Sequence, residues 1–127
     1  MTAKNVDACL KTISSQDPRA ARLTRMQTLN DRLRRDGKGG RVLVTDGVLS
    51  RGLEFARAAL GAVTQFDDFN GENDPWGEHD CACVKVEHET VIWKIDYYDK
   101  SMTVLSPDPA APSATIRVLT IMLAQEY

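Results

Sequence analysis

The clearest signal along the chain is a change in hydrophobic period. Between residues 18 and 36 apolar side chains recur at helical spacing, with Leu23, Met26, Leu29 and Leu33 on one side. Between residues 81 and 98 the period drops to two. Ala82, Val84 and Val86, then Val91, Trp93, Ile95 and Tyr97, alternate with Cys81, Cys83, Lys85 and Glu87, then Ile92, Lys94, Asp96 and Tyr98. That is the pattern of a half-buried antiparallel hairpin. It places Lys85 with Asp96, and Glu87 with Lys94, opposite or diagonal across the strands.

The other segments follow from local chemistry. Val6, Cys9, Leu10 and Ile13 form one short helical stripe over residues 3–15, an N-terminal arm or extra helix. Asp17-Pro18 starts the next helix, with Asp as N-cap and Pro where its missing N–H costs nothing. Gly37 ends that helix near Asp36. RVLVTD (41–46) predicts a short strand followed by a turn at Asp46-Gly47. Ser50 predicts the cap of a helix over 51–65, with Leu53, Ala56, Leu60 and Val63 facing the core. Residues 102–105 predict a further strand, and SPDPAAP (106–112) a proline-stiffened connector. A last helix is predicted over 113–126. Ile116, Val118, Leu119, Ile121, Met122 and Leu123 cover most of its circumference, which implies burial on more than one side or contact with another subunit in a homodimer.

Together these elements predict an α+β fold. A small antiparallel sheet of about four strands (41–46, 81–87, 91–98, 102–105) packs against a single layer of helices on one face. Residues 16–127 are read as one domain, since 127 residues suffice for one core.

Composition narrows the classes. Hydrophobic content of 43% and charged content of 27% suit a globular chain, and no apolar run approaches the roughly 20 residues that cross a bilayer. The first residues lack the apolar core of a secretory signal and the cysteine count is odd, so a cytoplasmic setting is expected. The net charge of −2 divides into +6 over residues 1–64 and −8 over 65–127. The two halves neutralise each other across one fold or face different partners.

Candidate chemistry gathers in FDDFNGENDPWGEHD (66–80) and the hairpin that follows. Asp68, Asn70, Glu72 and Asp74 have the spacing of calcium-loop oxygens. Gly71 stands at the wrong place and His79 replaces the bidentate Glu, so Asx-turn chemistry explains the spacing better. His79, Cys81 and Cys83 alternate as zinc ligands could. However, same-face strand neighbours lie about 6.5–7 Å apart, against about 4 Å for sulfurs on one zinc, so the thiols read as small, at least semi-buried hydrophobes. No metal and no cofactor is expected. GKGGR (37–41) has the wrong order for a phosphate loop. The arginines between Arg19 and Arg41 spread around their helix without interleaved aromatics, which disfavours nucleic acid as a partner. A hydrolase of phosphodiesterase type would draw on His79, Asp80, Lys94 and Asp96, as a metal-dependent centre or a His–carboxylate base. No spaced catalytic motif supports it, and a non-catalytic module is favoured over an enzyme. That module would bind through Asp67, Asp68, Glu72, Asp74, Trp76 and Glu78, an acidic surface beside an aromatic anchor that suits a partner with a basic surface.

FDDFNGENDPWGEHD, WKIDYYDKSM and SPDPAAPSATIRVLTIMLAQEY resemble, over about residues 25–127, a bacterial family of small proteins classed as a domain of unknown function. The resemblance implies a setting near plasmid and prophage genes, with no established activity or catalytic residues to transfer. Joined to the acidic loop, it suggests a mobile-element accessory that blocks a host nuclease or defence complex.

Overall fold

The computed structural model describes residues 17–127, so the predicted 3–15 helix lies outside the described residues. The elements are helix α1 (Pro18–Asp36), strand β1 (Gly40–Val44), short helix α2 (Asp46–Leu49), helix α3 (Leu53–Gln65), and strands β2 (Cys81–Val86), β3 (Glu89–Tyr98) and β4 (Ile116–Leu123). Single 3-10 turns stand on either side of β4, at Pro112–Ala114 and Ala124–Glu126. The sheet runs β1-β4-β3-β2. The α+β class and the single helical layer hold. The core joins Leu33, Val48, Phe55, Ala59 and Val63 of the helices to Ala82, Val86, Val91, Trp93, Ile95, Leu119, Ile121 and Leu123 on one sheet face. No described helix is long and apolar enough to cross a membrane.

The signals around α1 act as predicted. The Asp17 side chain accepts a hydrogen bond from the Arg19 N–H at 3.0 Å, and Gly37 (φ 68) closes the helix by donating to the Leu33 carbonyl. The glycines that follow are more than a flexible connector. A Cβ on Gly40 would lie 2.5 Å from the Arg117 carbonyl and 2.9 Å from Leu33, so only glycine lets β1, β4 and α1 approach this closely.

Several sequence expectations fail, each for a physical reason. The segment read as the last helix is β4. It lies between β1, to which it is parallel, and β3, to which it is antiparallel, so the sheet is mixed. Val118, Leu119, Ile121, Met122 and Leu123 are all buried. A strand covered on both faces has no alternation left to betray it, and its apolar run matches a buried helix equally well. Its all-round apolar character is satisfied within the chain, which removes the argument for a second subunit there. Residues 102–105 contribute only the isolated bridge of Leu105 to Tyr98, so the fourth strand is β4. Asp99 instead folds this stretch into a turn, accepting hydrogen bonds from Ser101, Thr103 and Val104.

The second predicted helix is split. Thr45 caps α2, Ser50 closes it, and α3 starts afresh after Gly52. The face of α3 that packs is Phe55, Ala59 and Val63, while Leu53 is 70% exposed and Leu60 41%. Both stripes have helical spacing. The one carrying the phenylalanine packs into the core shared with the sheet and wins.

The hairpin has the predicted faces but a different charge pairing. Lys85 stands opposite Thr90 and donates to its hydroxyl at 2.8 Å, and Lys94 stands opposite Cys81. Lys94 pairs instead with Asp96, two residues along its own strand. Glu87 (φ 48) and His88 (φ 72) make the two-residue connection in the left-handed region without a glycine. Non-glycine residues there cost about 1–2 kcal/mol each. Replacing Glu87-His88 by Asn-Gly, the preferred pair for this turn, is expected to raise unfolding free energy by about 1 kcal/mol in urea denaturation. An unchanged or lowered midpoint would show that the turn carries no strain.

Candidate functional site

The acidic loop between α3 and β2 is held from three directions. Phe66 and Phe69 meet edge to face, with ring centroids 5.0 Å apart, and both point at the Trp93 ring at 5.8 and 6.0 Å. Asn70 accepts from the N–H groups of Glu72 and Asn73. The Asn73 side chain in turn accepts from the Asn70 N–H and donates to the Asp68 carbonyl. Of the side chains that resembled calcium ligands, Asn70 is therefore engaged in an Asx turn. Asp74, only 7% exposed, accepts the backbone N–H of His79, itself at φ 58. Among the described residues no three His, Cys, Asp or Glu side chains converge to hold a metal ion.

A polar seam then ties the loop to α1. Gln27 and Asn30 donate to the carbonyls of Gly77 and Glu78. Asn30 also donates to the Tyr97 hydroxyl at 2.8 Å and accepts from Nε of Arg117 at 2.9 Å, so its amide is fully used. The Tyr97 hydroxyl donates to Glu78 at 2.9 Å. Burial pushes the Tyr97 phenol well above its ordinary range and lowers the Arg117 guanidinium. His79 Nδ1 lies 3.0 Å from Asp31, and its ring stacks on Phe69 at 4.0 Å. Asp31 also accepts from Arg34.

The sequence-predicted site residues thus fall into three groups. Asp67, Asp68 and Glu72 are exposed, and Trp76 is 80% exposed on the same loop. Asp74 and Glu78 turn inward and support the loop. The candidate catalytic set is divided. His79 lies on the helical side with Asp31, while Asp80, Lys94 and Asp96 line a groove of about 510 Å³ on the other side. Burial, then the charge of Glu78, pushes the Asp80 carboxyl above its ordinary range. The Lys94 ammonium lies 2.5 Å from Asp96, and this bond raises its pKa. Cys81 and Cys83, expected to be at least semi-buried, are exposed and line the same groove. Burial by its surroundings and the charge of Asp80 nevertheless raise the Cys81 thiol.

Sequence reading missed Asn30, Asp31, Arg34 and Arg117. The available signal was the pair Asn30 and Arg34 continuing the stripe that starts at Met26, where apolar residues belong. A polar residue in that register is either a defect or a partner in a buried network.

Residues 44–126 match the family model described as Protein of unknown function (DUF3768). The chain belongs to this family. The match takes in the loop, the hairpin and β4 but not α1, which supplies the seam. No curated protein and no solved structure matches the chain.

Two outcomes follow for this DUF3768 member. Asn30→Ala strips partners from Arg117, Tyr97 and the Glu78 carbonyl. It is expected to cost about 2–4 kcal/mol of stability, read from the denaturant midpoint at constant slope. Asp80 carries a folded-state pKa above its unfolded value, so its contribution is fully present below the ordinary carboxylate range and is lost as pH rises through the folded value. Asp80→Asn, which cannot ionise, should gain stability relative to the parent as pH rises through that window. A pH-independent difference between the two proteins would contradict the burial argument.

Proposed function

We propose that this protein is a non-catalytic interaction module that presents its acidic loop to a partner with a basic surface. The observation that carries the reading is Trp76, 80% exposed at the tip of a loop whose backbone is otherwise anchored. An indole exposed on a pre-ordered loop loses little freedom on binding and supplies the kind of side chain that dominates interface energies. Asp67, Asp68 and Glu72 surround it with negative charge that attracts and orients a basic surface. The setting near mobile elements that the family resemblance implies makes a host nuclease or defence complex the natural class of partner, and a cytoplasmic site of action fits that role.

The hydrolase reading keeps one observation in its favour, the groove that Asp80 shares with Lys94 and Asp96. It loses His79, which sits on the opposite side of the sheet.

Capture from host extract by immobilised protein tests the interaction reading. Trp76→Ala should weaken retention of the specific partner about 30-fold, the equivalent of about 2 kcal/mol at a hot spot. Asp67→Asn, Asp68→Asn and Glu72→Gln together should weaken it further at low salt and flatten its salt dependence. Both variants should melt like the parent, because these side chains are exposed. Retention of the same partner by both variants would reject the acidic loop as the binding surface.

A further inference from the structure

The sheet face turned away from the helices holds two residues that the core does not explain. Side chains of β4 alternate, so Leu119, Ile121 and Leu123 join the core on the helical side while Val118, Thr120 and Met122 face the other way. Val118 is 4% and Met122 5% exposed, yet neither belongs to the core cluster. Register places Ile92 of β3 opposite Met122 and Cys83 of β2 opposite Ile92, an apolar row across this face. Helices α1, α2 and α3 all pack on the opposite side. Arg117 reaches both Asn30 of α1 and the Pro109 carbonyl, so the connector at Pro109 lies on the helical side as well. Val118 and Met122 are buried within a single chain, which sets aside a second copy as their cover.

We propose that residues 3–15 are this cover, docked as an amphipathic helix along β4 with Val6, Cys9, Leu10 and Ile13 turned to Val118, Met122 and Ile92. The four apolar residues make one stripe at i, i+3, i+4 and i+7, and Lys4 and Lys11, seven apart, fall on the side away from it. Such a segment has one face for the sheet and one for water. It also joins the described chain at the right place. Arg22 lies 3.6 Å from Asp108 and Asn30 is bonded to Arg117, so α1 passes the end of the sheet at which β4 begins. Residues before Asp17 therefore leave α1 at that end. The lengths agree. A helix of 13 residues is about 20 Å long, against about 26 Å for the eight residues of β4. The docked segment forms one wall of the groove that Asp80, Lys94 and Asp96 line, and it brings Cys9 to the face that carries Cys81 and Cys83.

The test reads the reactivity of Cys9 in the full chain. With Cys81→Ser and Cys83→Ser it is the only thiol, and a thiol on a docked apolar stripe reacts only when the segment opens. Labelling of the folded protein by a chromogenic aromatic disulfide is expected to run at least about 10-fold more slowly than in urea. Leu10→Asp should restore the fast rate, whereas Lys4→Gln, on the side facing water, should leave the protection intact. Ile92→Glu should release Cys9 from the sheet side while circular dichroism stays that of the parent. Labelling of Cys9 in the folded parent at the rate found in urea would overturn the proposal. Protection that survives Ile92→Glu would place the segment elsewhere and overturn it as well. Protection that fades on dilution would assign the cover to a second copy, with the same result.

Discussion

A guanidinium taken almost wholly out of water organises this molecule. Arg34 is 1% exposed, and it reaches from α1 to the carbonyls of Val63, Thr64 and Phe66, where α3 ends. Carbonyls at a helix end lack the N–H partners of the helix interior, although that of Val63 also accepts the Phe66 N–H, and a positive charge there also suits the negative end of the helix dipole. Burial lowers the Arg34 pKa, and the Asp31 carboxylate works against that loss. The guanidinium carbon also sits 5.3 Å from the Phe69 ring centre and 5.4 Å from that of Trp93. One side chain therefore joins α1, the end of α3, the start of the acidic loop and the sheet. The arrangement is not free of cost, since Nε of Arg34 and Nε1 of Trp93 find no acceptor among the described residues. Each such buried N–H forfeits about 1–3 kcal/mol, which the rest of the aromatic and polar packing must offset.

Asp31 carries this organisation into the loop. The same carboxylate that meets Arg34 meets His79, so the loop's return to β2 is fixed by a residue on α1, 48 positions earlier. Asn30, one residue before it, does the same for Glu78, Tyr97 and Arg117. Carboxylates in the loop consequently take two roles. Those that point inward act as acceptors, Asp74 from the His79 backbone N–H and Glu78 from the Tyr97 hydroxyl. Those that point outward, with Trp76, are left to meet solvent or a partner.

The sheet divides the remaining chemistry. Its helical face is filled by Trp93, Ile95, Leu119 and Ile121, and the polar side chains near it find partners within the fold apart from Nε of Arg34 and Nε1 of Trp93. Its other face carries the groove with two thiols, an ammonium and two carboxylates. Alternation along an extended strand would put His79 on the same face as Cys81 and Lys94, but β2 starts only at Cys81 and His79 precedes it at φ 58, with its ring against Asp31 on the helical side.

By itself, the sequence determined the features whose causes are local. Asp17-Pro18 and Gly37 set the ends of α1, because caps act within one turn. The period of two set the faces of β2 and β3, and the Asx-rich spacing set the turns of the acidic loop. Only the tertiary structure decided the rest. Residues 116–123 became a strand because burial on both faces erases the amphipathic contrast that separates strand from helix. Phe55 rather than Leu53 faced inward because packing into the core shared with the sheet, not helical spacing, chose between two apolar stripes. Arg34 and Asn30 became the centre of the fold because their partners lie at the end of α3, in the loop and on β4, and no window along the chain contains both a buried polar group and the distant groups that satisfy it.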